Sequence, residues 1–424
     1  MRLLLIVRLY SGFRQSVASG EWAPTGAPTI YKLIEALERR RDELELVLVC
    51  KEPSSSIDDR QDRQIRIDGL SSRIWILGGE AALPRWLGRF RWYASELRQA
   101  WRNWQLARRL RPDLIYVDRG NLWSAALLAR SDDTPVVYRI MGISPGLRDP
   151  FAGNKPRQVL MRWFLRSPFA AVICTQDGSG AEYWLDRMLT PGIPRHLWLN
   201  GVDPVAPGGD FDILLSHIPA DCTRVLFVGR LDDLKGCREF IEAFLIAHAS
   251  VGDRLHAVIV GDGPNRIAMQ ARVSAADAGR SVTFLGSVAH DRVQDAYRCA
   301  DIYVSLNRMG NLSNANLEAM LAGCCMIVPA AQPETGADTT TELLFPDDTA
   351  LRVPGVDDPA AIASAILQLH ANPDERRRRG AATKAAADAV IGTWRQRIER
   401  EVDLLEELAS GRDGVARLTH AASR

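Results

Sequence analysis

Arg230 and Lys235 stand five residues apart in the stretch VGRLDDLKG (228–236), with Asp232 and Asp233 between them. An apolar run, RVLFV (224–228), ends at Gly229 just before the pair, and an amphipathic segment follows at 237–247. This is the pattern of a strand that reaches the rim of a parallel sheet, crosses a polar loop and enters a helix. Open α/β sheets bind their ligands at that rim. Two cations there suit a diphosphate, whose oxygens accept charge-assisted hydrogen bonds from guanidinium and ammonium groups. Taken alone, the segment also reads as a solvated turn with surface charges.

The flanking elements must position this pair. LHAVIVGDGP (255–264) is a second buried strand ending in a glycine turn, VTFLGSV (282–288) a third ending at Gly286, and ADIYVSL (300–306) a fourth. A small-polar loop, RMGNLSNAN (308–316), leads into the helix LEAMLAG (317–323), and CMIVPA (325–330) is a fifth strand. Strands alternating with helical patterns predict a doubly wound parallel sheet. The N-terminal half repeats the plan. Strands are expected at 3–8, 44–50, 73–77, 114–117, 135–139 and 170–175, and a polar loop containing Gly20 and Gly26 precedes a helix at 29–41. A chain of 424 residues is the usual size of two α/β domains of about 200 residues each. The Pro- and Gly-rich stretch 203–212 marks the linker, which divides the chain into domains at 1–203 and 204–392 and a segment at 393–424 whose tail after Gly411 is expected to be loose.

In order and spacing, VGRLDDLKG, VGDGP, FLGSV and the LEAMLAG helix behind its loop resemble the C-terminal half of the retaining GT-B glycosyltransferases of family four. The likeness covers about 225–405 and is fainter before Gly201, although WLNGVD (198–203) resembles the NGVD that closes the family's N-terminal domain. The resemblance implies the α/β GT-B fold, with two Rossmann-like doubly wound domains facing a central cleft and a last helix, from 393, crossing back onto the N-terminal domain. It implies that Arg230 and Lys235 hold the diphosphate of a UDP- or GDP-linked sugar and that Glu318 accepts the ribose hydroxyls. Gly229, Gly263, Gly286 and Val288 would then lie near the nucleotide. It further implies transfer with retention, no protein nucleophile and neither metal nor cofactor. The seven His and seven Cys show no CxxC or HxxxH spacing, which agrees with the absence of a metal cluster.

One departure stands out. The family carries two glutamates eight residues apart; Glu318 is the second, and the first falls on Gly310. Asn311, Leu312, Ser313 and Asn314 follow it, and their amides and hydroxyl suit sugar hydroxyls without charge. The same residue types also cap helices. The loop therefore reads either as a variant donor-sugar site or as the degenerate site of a silent partner subunit. In the N-terminal half, Gly26 would let backbone approach phosphate or sugar. Many relatives place a His near VDRGN and RIMGIS; here Arg119 and Arg139 occupy those regions, and no His precedes His196. They are acceptor-side candidates, with a surface salt bridge as the alternative for Arg139.

The segment 83–112 holds eight Arg, four Trp and one Glu, and MRWFLRSPF (161–169) is a smaller echo of it. This is the composition of an interfacial membrane helix; the alternative is a helix that packs its Trp face on the sheet. Net charge of +1 gives no sign of nucleic-acid binding. No apolar run is long enough to span a bilayer, no cleavage site follows the short apolar start, and scattered cysteines fit a reducing cytosol. The expectation is a cytoplasmic glycosyltransferase, peripheral on the inner face of the membrane, acting on a glycan or lipid-linked glycan in surface polysaccharide biosynthesis. The alternative is a catalytically silent nucleotide- or sugar-binding partner.

Overall fold

The computed structural model describes residues 1–421 except 41–42, 52–60, 81–82, 85–87, 89, 132 and 205–214; the side chains at 290–291 and 412–421 are likewise outside the description. The expected linker, part of the 83–112 segment and the expected loose tail fall wholly or partly outside it.

The N-terminal sheet is built from β1 (Arg2–Arg8), β2 (Glu43–Val49), β3 (Arg63–Ile65), β4 (Arg73–Leu77), β5 (Leu114–Asp118), β6 (Val136–Ile140), β7 (Ala171–Thr175) and β8 (Arg195–Trp198). Their order is β3-β4-β2-β1-β5-β6-β7-β8, parallel throughout except for the antiparallel edge pair β3–β4. The C-terminal sheet is built from β9 (Thr223–Val228), β10 (Leu255–Val260), β11 (Val282–Gly286), β12 (Ile302–Val304), β13 (Met326–Pro329) and β14 (Ala350–Val353), in the order β11-β10-β9-β12-β13-β14. Strands buried on both faces read as continuous apolar runs. LLLIV in β1 is such a run: Leu3, Leu5 and Val7 pack into one layer, Leu4 and Ile6 into the other. Each sheet reverses its winding once, between β1 and β5 and between β9 and β12. A reversal of this kind opens the crevice where doubly wound folds place ligands.

Several elements escape the sequence reading. The stretch expected as a long polar loop holds a helix, Ser11–Ser19, pinned where Phe13 is buried and Ser16 Oγ accepts the Ala23 amide at 3.0 Å. The helix expected at 317–323 begins earlier and spans Asn314–Leu321.

The last helix, Trp394–Ala421, buries Trp394, Ile398, Val402 and Leu405 in the core of the N-terminal sheet. The chain thus crosses between domains twice, at the segments around 201 and 393, and the crossings touch. Val202 N donates to Gly392 O at 3.0 Å and Trp394 N to Asp203 Oδ1 at 3.0 Å. A Cβ on Gly201 would collide with the Trp394 backbone, so the crossing requires glycine there. Among the described residues, no helix is long and apolar enough to cross a membrane.

Candidate functional site

The loop after β9 ties its own acids into a turn beside two cations. Asp232 Oδ1 accepts the Lys235 amide at 3.2 Å and so closes the tight turn Asp233–Lys235. Asp233 Oδ1 accepts from Asn265 Nδ2 at 2.8 Å and pairs with Arg238. From the other side Arg308 donates its amide to Leu234 O at 2.9 Å and its guanidinium to Asp233 O, Glu239 and Asp357. The acids between the two cations therefore shape the turn. Arg230 is left 73% exposed, with only a loose contact to Asp232 at 3.4 Å. Lys235 is more enclosed, and burial lowers its pKa while Asp232 and Asp177 raise it.

Glycines bring neighbouring loops against this turn. A Cβ on Gly261 would overlap Gly229 O, and one on Gly263 would crowd the Leu231 backbone. The close approach lets Leu231 N donate to Asp262 O and Asn265 N to Leu231 O, both at 3.0 Å. Gly263 thus faces the Leu231 backbone. Val288 is half-buried and packs on the second apolar layer of this domain.

Glu318 lies on the helix Asn314–Leu321 and is nearly buried. Burial pushes its carboxyl up to about 7, against the downward pull of the Tyr297 hydroxyl, which donates to Oε2 at 3.5 Å.

The loop before this helix is tied to its own domain and to the N-terminal one. Asn311 is fully buried; its amide and its Nδ2 donate to the two oxygens of Asp338, each at 2.7 Å, and its Oδ1 accepts from Ser305 Oγ. Leu312 is also fully buried and donates its amide to Asp177 O at 3.1 Å. Ser313 takes the N-cap position, but its side chain makes no capping bond. Asn314 Oδ1 accepts from Asn200 Nδ2 at 2.6 Å. Asn311 and Leu312 therefore organise the loop, and their side chains are not presented to a ligand.

The position of the family's first glutamate has a steric explanation. Gly310 meets the backbone of Gly178, from the loop after β7, so closely that a Cβ would overlap it. The contact is mutual: a Cβ on Gly178 would crowd Asn311 N and the Asp338 carboxylate. Asp338 N donates to Gly178 O at 2.7 Å. Two acids flank this contact, and the sequence reading named neither. Asp338 is nearly buried, and Asp177 is held by the Ser179 amide at 3.1 Å and the Ser179 hydroxyl. Burial raises both carboxyls; the Ser179 bonds, and to a smaller degree Lys235, pull Asp177 back down, as the Thr341 and Asn311 bonds do Asp338. The available signal was the run QDGSG (176–180) directly after an apolar strand.

On the N-terminal rim, Asp118 ties the loops at the winding reversal: it accepts from Arg8 N at 3.0 Å, Tyr10 Oη at 2.6 Å and Asn121 Nδ2 at 2.6 Å. Arg119 follows it at that rim and is half-exposed. Gly26, with φ of 64°, lies on an exposed loop with open space where a side chain would stand. Arg139 corrects an expectation, because it does not face the cleft. It is fully buried, donates to Thr175 Oγ1 at 2.7 Å and pairs with Glu401 of the crossing helix at 3.5 Å. Glu401 also takes bonds from Tyr116 Oη at 2.6 Å and Arg397 at 2.7 Å. This is a buried brace between sheet and helix, distinct from the surface pair weighed as the alternative.

Two family models match the chain: a glycosyl transferase 4-like domain over residues 25–187 and glycosyl transferases group 1 over residues 222–372. A curated relative, the 2-deoxystreptamine N-acetyl-D-glucosaminyltransferase of Streptomyces fradiae, is 29% identical over 258 residues, covering 56% of this chain and 57% of its own length. The chain spans about half the length of the curated relatives it matches, and less of some. Among solved structures, the sucrose-phosphate synthase of Thermosynechococcus elongatus superposes with a TM-score of 0.66 at 19% identity, covering 100% of both chains. The Anabaena protein HepE in complex with UDP superposes at 0.66 and 16% identity, covering 97% of this chain and 100% of that one. At such identities the likeness speaks for the fold. With both halves of the chain matched in order, it belongs to the group 1 glycosyl transferases, the GT-B family numbered four.

Proposed function

We propose that the chain is a working, metal-independent retaining glycosyltransferase that moves a sugar from a nucleoside-diphosphate sugar, UDP- or GDP-linked, to a glycan or lipid-linked glycan at the cytoplasmic face of the membrane. The observation that carries the reading is the braced turn 229–236, which holds Arg230 open at the rim and Lys235 half-enclosed beside it. Such a turn stabilises negative charge on a departing diphosphate through groups already in place. Glu318 accepts the ribose hydroxyls. The acceptor oxygen bonds to the anomeric carbon on the face from which the diphosphate leaves. The anomeric carbon–oxygen bond breaks toward the phosphate, and the departing phosphate oxygen takes the acceptor's proton. No protein nucleophile is used; the domains hold donor and acceptor at reacting distance.

The silent-partner alternative draws on the missing carboxylate at 310. Its force is reduced by the packing of Gly310 against Gly178 and by the two acids, Asp177 and Asp338, beside that contact. The HepE complex with UDP favours UDP as the first nucleotide to try. The test is a thermal-shift panel of UDP, GDP, ADP, CDP and dTDP on the native chain and on Lys235→Ala. One nucleotide should raise the melting temperature by mass action, and the variant should lose that shift. Donor turnover is then followed as free nucleoside diphosphate. Binding without release for any glycan or lipid-linked acceptor would favour the silent partner.

A further inference from the structure

We propose that one outer face of the N-terminal domain docks on an anionic lipid leaflet, and that an apolar groove in that face takes an acyl chain. The inference deepens the function proposed above by naming the acceptor's surroundings. It rests on that reading for its purpose only; the binding itself does not depend on it.

The helix Arg91–Leu110 buries an unusually polar face and leaves large apolar residues outside. Its inward side mixes Ala100, Leu106 and Ala107 with polar residues: Glu96 pairs with Lys51 at 2.6 Å, Gln99 Nε2 donates to Cys50 O and Gly78 O, and Asn103 Nδ2 donates to Ser124 Oγ at 2.9 Å. Two of its large apolar residues point out. Leu97 is 59% exposed and Trp101 is 52% exposed, with Trp101 stacked on Trp104 at 4.6 Å. The echo segment, distant in sequence, comes to the same face: Trp163, on the helix Pro156–Leu165, is 53% exposed. Between the two helices, over the helix Leu122–Ser131, lies a groove of about 420 Å³ walled by Leu97, Trp101, Trp123, Leu127, Trp163 and Phe164. Exposed large apolar residues grouped in this way mark a binding surface rather than ordinary surface scatter.

Charge selects the occupant. Glu96, the one acid of the helix, is spent inward on Lys51. Arg98 and Arg102 pair with Asp62, and three arginines of the three helices lie over indole rings: Arg108 over Trp104 at 5.1 Å, Arg130 over Trp163 at 3.9 Å and Arg157 over Trp92 at 5.5 Å. Guanidinium heads beside indoles, around an apolar centre, match the headgroup boundary of a leaflet rich in anionic lipid. A second copy of the same cationic face would be repelled. Trp123 also follows closely on the turn Arg119–Asn121 at the rim of β5. A leaflet on this face therefore lies beside the N-terminal wall of the cleft.

The full chain is tested by flotation with vesicles of phosphatidylcholine alone and of phosphatidylcholine mixed with phosphatidylglycerol. Binding to the mixed vesicles is expected, weakened by salt. Tryptophan emission should shift to the blue and be quenched by lipids brominated on the acyl chain. Trp101→Glu combined with Trp163→Glu should lower the vesicle affinity roughly tenfold or more, while the circular dichroism spectrum and the nucleotide thermal shift stay unchanged. Both tryptophans are half-exposed, so the variant should fold. Failure to bind mixed vesicles at low salt, or equal binding by the double variant, overturns the proposal. Self-association in sedimentation that the double variant abolishes would give the face to a second copy and overturn it too. A native chain that floats but shows no nucleotide shift would instead strike the glycosyltransferase reading and leave this one standing.

Discussion

Arg230 and Arg139 each stand at the end of an apolar run, and the fold uses them in opposite ways. Arg230 lies two residues beyond β9, on a loop whose own hydrogen bonds hold it open, and its side chain is mostly in solvent. Arg139 lies one residue before the end of β6, so strand alternation still sets its direction. It shares a face with Val137, which packs in the layer covered by the crossing helix, and there it meets Glu401. A cation just past a strand is available for ligand chemistry; a cation still inside one belongs to the layer it faces.

The sharpest way to break this comparison is to remove both cations and see what each takes with it. Arg139→Ala should cost about 3–5 kcal/mol of stability, the scale for removing one partner of a buried ion pair, read as a fall in the denaturant midpoint. Arg397 stays on Glu401 and favours the lower end. Nucleotide affinity should hardly change wherever the variant remains folded. Arg230→Ala and Lys235→Ala should do the reverse. Each should lower kcat/KM by about a hundred- to a thousandfold, with a melting temperature in the absence of nucleotide close to that of the native chain. An Arg139 variant that kept its stability and lost turnover would end the distinction.

The same logic explains what the sequence discloses. Loops shaped by local bonds and close backbone approach leave a signature: VGRLDDLKG and GDGP each form the turn their residue types require, whereas the Asn-rich loop spends Asn311 on Asp338 and passes into the helix at Asn314. The buried strands were equally plain, because LLLIV and LHAVIV cannot be solvent-exposed in a soluble sheet. Elements held by distant partners were not legible. β3 is the polar tripeptide RQI at a sheet edge, and β8 is RHLW. The helix Ser11–Ser19 has Gly and three Ser in nine residues and depends on Phe13 for its place. Arg139 could not be assigned without Glu401, which arrives from the other end of the chain. The Trp-rich helix shows its composition but not its orientation, since Gln99 and Asn103 turn inward beside Leu106 and Ala107 where Cys50, Gly78 and Ser124 present partners.

A smaller effect tests the contact between the two loops. If Gly310 is glycine because Gly178 is in the way, Gly310→Glu will not restore the family's pattern. A side chain there overlaps backbone and must take φ of 131°. The expected loss is about 1–3 kcal/mol from overpacking and strain, with turnover lowered, and Gly310→Ala should share part of it. A Gly310→Glu variant with native stability and raised turnover would show that the site is degenerate and the packing argument mistaken. Asp177→Asn sharpens the same comparison from the other side of the contact. The variant keeps an acceptor for the Ser179 amide and loses only the charge, so stability, nucleotide binding and kcat should stay near native. A kcat lowered about tenfold or more would give Asp177 a part in proton transfer that the mechanism above does not use.

Glu318 gives the most specific effect, one confined to a pH range. Its carboxyl is pushed up to about 7 by burial, so the folded chain holds a proton that the unfolded chain releases near the ordinary glutamate value of about 4.3. A raised carboxyl contributes least at high pH: the folded state is favoured below the unfolded value and loses stability as pH rises through about 7. Glu318→Gln should therefore gain stability over the native chain at pH 8, by about 1–3 kcal/mol, and little at pH 5. Nucleotide binding should run the other way. Ribose hydroxyls donate best to the ionised form, so native affinity should weaken as pH falls below about 7. The Gln variant should bind more weakly with no such slope. Calorimetric titration at several pH values reads both effects, and a native affinity flat with pH would remove Glu318 from the ribose site.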